Sequence, residues 1–264
     1  MSQEIHPYLP ENEISKASLE YPKKMNELGH EVRVFMPRYG LINERRHQLH
    51  EVIRLSGINI IINDMDQPLI IKVASVPQAR IQVYFIDNDE FFKRKALFYN
   101  EKNEFFNDND QRAIFFCRGV IETVKKLGWS PDIIHCHGWM ASFLPLYLKK
   151  FHHDDPLFEE SKVVMSVYES KEETFTDSLV QNLTFDGING EDISNFEDSN
   201  INKLYLAGAK YSDGVIINSN KADEDTVKEL EEKSEKFLNL NGSEKPLEDI
   251  YSFYEQVAME EPVA

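Results

Sequence analysis

His135, Cys136 and His137, followed by Gly138 and Trp139, put two imidazoles, a thiol and an indole into five consecutive positions. In an extended segment, residues two apart share a face, so the imidazoles stand side by side and could carry protons or ligate a metal ion. A metal would need a third ligand, and paired neutral imidazoles commonly stand without one. No metal site and no other cofactor is expected. The placement of the segment points instead to a ligand pocket. Gly128 closes the helical pattern before it, Pro131 and Asp132 break the chain, and Ile133-Ile134 enter a short apolar strand. His137 and Gly138 then fall at the carboxyl end of that strand, where open α/β sheets bind their ligands. Trp139 opens an amphipathic stretch with Phe143, Leu144, Tyr147 and Leu148 on one stripe.

The elements that must hold this segment read as alternating strands and helices. Strands are predicted at 31–36, 69–73, 81–86, 132–136, 163–167 and 214–217, each short, β-branched and bounded by Pro, Gly, Asp or Asn. Residues 52–62 read as a hairpin turning near Ser56-Gly57. Helical patterns cover about 15–28, 110–127, 139–151, 200–211, 221–238 and 246–257. That alternation predicts βαβ units: an α/β, Rossmann-like, mostly parallel sheet with helices on both faces. Residues 169–200, dense in Asp, Glu, Asn and Ser, read as a mobile loop. Asp110 and Arg112 read as a pair at a helix start, and His152-His153-Asp154-Asp155 as a solvated loop. The Phe91-Phe92, Phe105-Phe106 and Phe115-Phe116 pairs read as core, and Tyr99, Trp139 and Tyr168 are candidate rings for stacking on a ligand.

Bulk composition narrows the partners. Across 264 residues, 29 Lys and Arg against 46 Asp and Glu leave a net charge of −17. Nucleic acid and acidic membranes are bound by neutralising phosphates with basic side chains, so neither is expected as a partner. Cys117 and Cys136 lie in apolar stretches and read as free buried thiols. With no apolar signal region in MSQEIHPYLPENE and no run of transmembrane length, a reducing cytoplasm is the simplest compartment.

Three segments carry a resemblance. PDIIHCHGW (131–139) resembles the PDIIHaHDW segment of bacterial glycogen synthases and plant starch synthases, LGHEVRVFMPRYG (28–40) their GHeVRVvlPrYg, and residues 107–129 their eDNxeRFaffsraaLellkkLgw. Order and spacing agree from Ser2 to about Ser219. The resemblance implies the amino-terminal, acceptor-side half of a GT-B glycosyltransferase fold over residues 1–240, with an acidic helical tail over 241–264 and no carboxyl-terminal nucleotide-sugar domain. It implies kinship with enzymes that transfer glucose from ADP-glucose to the 4-hydroxyl of an α-glucan. It also implies an apolar strand immediately before the Ser-x-Glu segment, at the centre of the sheet, so an upstream segment is expected.

Against that family the scaffold matches and the site departs. Pro10 stands where the family has a phosphate-approaching lysine, and Asn12 and Glu13 stand where it has paired glycines. With Glu11, the segment Pro10, Glu11, Asn12, Glu13 offers carboxylates where a diphosphate would lie, which repel it. Gly138 replaces an aspartate. Tyr168 replaces a histidine that contacts the transferred sugar, and Glu169 an asparagine. The expected function is that of a glycogen or starch synthase-like protein of α-glucan metabolism, inactive alone. It is expected to bind α-glucan weakly, or a protein of glycogen metabolism, through a pocket of His137, Trp139, Tyr168, Glu169 and Tyr99. ADP-glucose is not expected to bind tightly. The alternatives are a glucosyltransferase subunit completed by a separate donor domain and a regulatory scaffold unrelated to glucan.

Overall fold

A computed structural model describes residues 1–76, 79–197 and 199–259. The chain leads from a short extended stub, Met1 to Gln3, into helix α1 (Glu13–Glu27) and strand β1 (Arg33–Pro37). A β excursion follows: α2 (Glu44–His47), β2 (His50–Glu51), β3 (Ile58–Ile62), β4 (Met65–Val76) and β5 (Ile81–Asp87). Then come α3 (Asp89–Phe92), α4 (Asn109–Leu127), β6 (Ile133–His137), a 3-10 turn at Trp139–Ala141, α5 (Leu144–Phe151) and β7 (Lys162–Val167). The rest is α6 (Ser178–Phe185), α7 (Glu191–Ser194), α8 (Ile201–Ala209), β8 (Gly214–Ile217), α9 (Glu224–Lys233), β9 (Phe237–Asn239) and α10 (Pro246–Ala258).

The strands form two ladders. One runs β1-β5-β4-β2, with β1 parallel to β5 and β4 antiparallel to β5, and β3 hairpins onto β4. The other, β6-β7-β8-β9, is parallel throughout. Among the described residues, the stub bridges their edges. Ser2 N–H donates to Phe35 O at 2.9 Å, His137 N–H donates to Met1 O at 2.9 Å, and Met1 N donates to His135 O at 2.6 Å. Arg33 and Val34 of β1 and Ile133 and His135 of β6 border an open groove of about 700 Å³.

Alternation along the strands sorts the core into two faces. Val163, Met165, Val215 and Ile217 pack with Phe115, Ile121, Leu144 and Leu148 of α4 and α5. Val164, Tyr168 and Ile216 face the other way, onto Ala17 and Tyr21 of α1 and Ile250, Phe253 and Val257 of α10. Residues 246–258, in the expected acidic helical tail, are a helix of the sheet's second layer, with Phe253 only 3% exposed.

Several local expectations are corrected. The hairpin turns at Asn63-Asp64, both in the left-handed region (φ 49° and 59°), and not at Ser56-Gly57. A two-residue turn with both centres at positive φ matches strand twist, and Asn and Asp tolerate that conformation. The predicted helix over 221–238 stops at Lys233, and Phe237–Asn239 adds a parallel edge strand to β8. The span 169–200, expected as a mobile loop, holds α6 and α7 and buries Leu179, Leu183, Ile188 and Phe196. Most of its polar residues face outward, while Asn182 and Ser199 are buried.

Candidate functional site

The carboxyl ends of the central strands meet at Gln3-Glu4, His137-Gly138, Tyr168-Glu169 and Asn218-Ser219. Glu4 is buried on the floor and accepts hydrogen bonds from Asn12 Nδ2 (2.7 Å) and Gln3 Nε2 (3.4 Å). Burial raises its pKa above the usual carboxylate value. Asn12 is also the N-cap of α1: its Oδ1 accepts from Ser15 N–H at 2.8 Å, and Ser15 Oγ accepts from Asn12 N–H at 2.9 Å. This reciprocal box uses two of the donors that an anion would otherwise find at a helix N-terminus. Pro10, Glu11, Asn12 and Glu13 are exposed around it, and Glu13 lies in the first helical turn.

Gly138 has φ 82° and ψ 166°, a region open to glycine almost alone. A Cβ there would also come within 2.4 Å of Gln3 Oε1. That oxygen accepts from Met140 N–H at 3.3 Å. Gln3 and Gly138 thus fill one space between them.

The candidate rings separate into two groups. His137 and Tyr168 are brought together: His137 Nδ1 and the Tyr168 hydroxyl are 2.7 Å apart, and Tyr168 is 2% exposed. Burial, and next the His135 ring 3.8 Å away, lower the His137 pKa well below the ordinary value, so the imidazole is neutral. Trp139 is 4% exposed and enclosed by Phe98, Phe105 and Phe175. Its indole offers no open face to a sugar. Tyr99 is half-buried at the rim, with Lys171 Nζ 4.3 Å from its ring centre, and its hydroxyl is pushed up to about 12 by burial and the neighbouring Glu173. Glu169 is exposed and pairs with Lys221 at 3.6 Å.

Behind His137 runs a polar network that the sequence did not announce. His135 Nε2 meets Ser166 Oγ at 2.6 Å and its Nδ1 meets the Tyr254 hydroxyl at 2.5 Å. Ser166 Oγ accepts from Asn218 Nδ2 at 2.6 Å, and Asn218 Oδ1 accepts from the Tyr21 hydroxyl. A serine against an imidazole has the composition of a nucleophile and base, but Ser166 is fully buried beneath the ladder with no donors placed for an oxyanion. The network is structural, and burial keeps His135 neutral. Tyr254 lies 119 positions from His135, so no local spacing could have shown it. Among the described residues, no group of three or more His, Cys, Asp or Glu side chains is placed to hold a metal ion.

The helix-start pair is also corrected. Arg112 is fully buried and donates to Phe91 O (2.9 Å), Leu97 O (2.7 Å) and Asn109 Oδ1 (2.5 Å), while Asp110 accepts from Ser178 Oγ and Asn182 Nδ2. Arg112 ties α4 to the segment of Phe91 and Leu97, and Asp110 ties it to α6.

Comparison with known proteins decides the family. The model of the starch synthase catalytic domain matches residues 1–239. The chain belongs to the starch synthase catalytic domain family. Among relatives, the glycogen synthase of Chlorobium limicola is 36% identical over 217 residues, which is 81% of this chain and 43% of that protein. The glycogen synthase of Pelodictyon phaeoclathratiforme is 32% identical over 257 residues, 92% of this chain and 52% of that one. The solved catalytic domain of starch synthase IV from Arabidopsis thaliana, bound to ADP and acarbose, superposes with a TM-score of 0.71 at 18% identity, over 90% of this chain and 50% of that one. It shows the fold, that of a GT-B glycosyltransferase domain. The chain spans about half the length of the relatives it matches. As a member of the starch synthase family it keeps the two-faced sheet.

Proposed function

We propose that this domain is the acceptor-side half of an α-glucan glucosyltransferase architecture, and that alone it binds α-glucan weakly and ADP-glucose not tightly. The observation that carries the reading is the closed loop before α1. Asn12 spends its amide on Ser15 and Glu4, and Glu11 and Glu13 stand exposed around it. The box takes up two of the N–H groups at the start of α1, and the segment brings carboxylates and no cation to a diphosphate. The rim retains groups suited to a neutral sugar, namely the Tyr99 ring, Glu169 and the hydrogen-bonded Ser170-Asn202 pair. Glucosyl transfer itself would need a second domain to supply the donor side, and the greater length of the relatives favours that as the second reading. A protein of glycogen metabolism is the remaining candidate partner.

The test is titration of the folded domain with maltoheptaose and, separately, with ADP-glucose. Maltoheptaose should give a dissociation constant of roughly millimolar, as a few open contacts provide, with chemical-shift changes at Tyr99 that Tyr99→Ala abolishes. ADP-glucose should show no saturation at micromolar concentrations. A micromolar constant for ADP-glucose would mean about 8 kcal/mol of binding and would overturn the closed-loop reading. No shifts with saturating maltoheptaose would remove glucan and leave the protein partner.

A further inference from the structure

Tyr99 is held at the rim by a small hairpin. Asn100 N–H donates to Glu104 O and Phe106 N–H to Phe98 O, both at 2.9 Å, across a turn in which Asn103 takes φ 60°. The Tyr99 ring packs against Phe105 with centres 5.6 Å apart, and Phe105 in turn packs on Trp139 and Phe175. The ring is therefore a fixed platform.

Lys171 reaches that ring from a segment anchored on both sides of it. Before it, Ser170 Oγ donates to Asn202 Oδ1 at 2.6 Å and Glu169 pairs with Lys221 at 3.6 Å. After it, Glu173 O accepts from Ile201 N–H at 3.2 Å and Phe175 N–H donates to Ser199 O at 2.9 Å. The ammonium ends over the ring, 4.3 Å from its centre, in the space that a stacked pyranose would need. Lys171 is the only cation between Glu169 and Phe175, and three glutamates, Glu169, Glu172 and Glu173, flank it. Among the described residues no carboxylate stands within ion-pair distance of its ammonium. In so acidic a chain, a lysine that lies on a ring and not on a neighbouring carboxylate is placed there by the anchors around it.

We propose that Lys171 is a built-in competitor for Tyr99: its ammonium occupies the stacking position, and a sugar binds there by displacing it. The inference rests on the reading of the rim as a sugar site and adds its regulation. Lys171 is exposed, and a cation over an exposed ring is held weakly, so the cap lowers affinity by about two- to fivefold and does not shut the site. The cap acts by position as well as by charge. Arginine, whose planar guanidinium stacks on aromatic faces, should hold the ring more firmly than lysine, and alanine should leave it open.

The experiment compares the parent chain with Lys171→Ala and Lys171→Arg. Maltoheptaose is titrated into each, and access of a flavin dye to the Tyr99 ring is read without glucan by photochemically induced nuclear polarisation, with Tyr99→Phe identifying the signal. Lys171→Ala should strengthen the Tyr99 signal and tighten maltoheptaose binding about two- to fivefold, and Lys171→Arg should move both the other way. An equal Tyr99 signal in all three chains would overturn the cap. A stronger signal in Lys171→Ala with unchanged maltoheptaose affinity would overturn the competition. A stronger signal with no maltoheptaose binding in any of the three would remove the sugar reading of the rim and uphold the cap.

Discussion

At the scale of single residues, Gln3 and Gly138 act as one unit. The backbone at 138 excludes a Cβ on conformational grounds, and Gln3 excludes it on steric grounds. Gly138→Asp, which installs the family's expected residue, should destabilise the fold by about 3 kcal/mol or more, because the clash and the backbone strain add. Adding Gln3→Ala should recover only the steric share, so the double variant stays less stable than the parent in urea unfolding. A double variant as stable as the parent would show that the backbone at 138 relaxes freely. Legibility at this scale was uneven. The neighbourhood of His137 and Tyr168 could be read from strand ends, since both lie where parallel strands run out. The burial of Trp139 could not, because it depends on Phe98, Phe105 and Phe175, which come from loops distant in sequence.

At the scale of elements, the strongly periodic helices were legible and the short excursions were not. Helix α4 shows one apolar stripe and a closing glycine with φ 59°, so pattern and cap agree. β9 is three residues long, and its pairing is dictated by β8 and not by its own composition. The most consequential element is α10, which lies in the segment read as an acidic helical tail. Ile250, Phe253 and Val257 recur at helical spacing and seal the face made by Val164 and Ile216. Phe253→Ala should therefore cost about 3–5 kcal/mol and lower the unfolding midpoint of the whole domain. A change below about 0.5 kcal/mol, the size expected of surface positions, would show α10 to be detached in solution.

At the scale of the whole molecule, the buried titratable groups make stability depend on pH in two opposed ways. Burial holds His135 and His137 below their ordinary value of 6.5. As pH falls past that value the unfolded chain takes up protons first. Stability from these rings is thus complete above about 6.5 and is lost on acidification, at up to about 1.4 kcal/mol per pH unit for each ring. Glu4, Asp110 and Asp186 are raised by burial from ordinary values of 4.5, 3.8 and 3.8. Their contribution has the opposite sign: it is present in acid and lost as pH rises through the raised values. Urea unfolding of the parent between pH 7 and 5 should show stability falling more steeply than in a His135→Gln, His137→Gln double variant. Parallel slopes would mean that the rings are charged in the folded state.

Asn12 has one further consequence, for what the chain tolerates at that position. Its amide serves the α1 cap and the buried Glu4 carboxylate at once. Glycine as an N-cap costs only a few tenths of a kcal/mol, so the cap alone would hardly resist a glycine there. Stripping a buried carboxylate of a donor costs about 1–3 kcal/mol, a large share of a domain's net stability. Substitution at position 12 is therefore uphill until position 4 has also changed, and the two positions are bound to vary together.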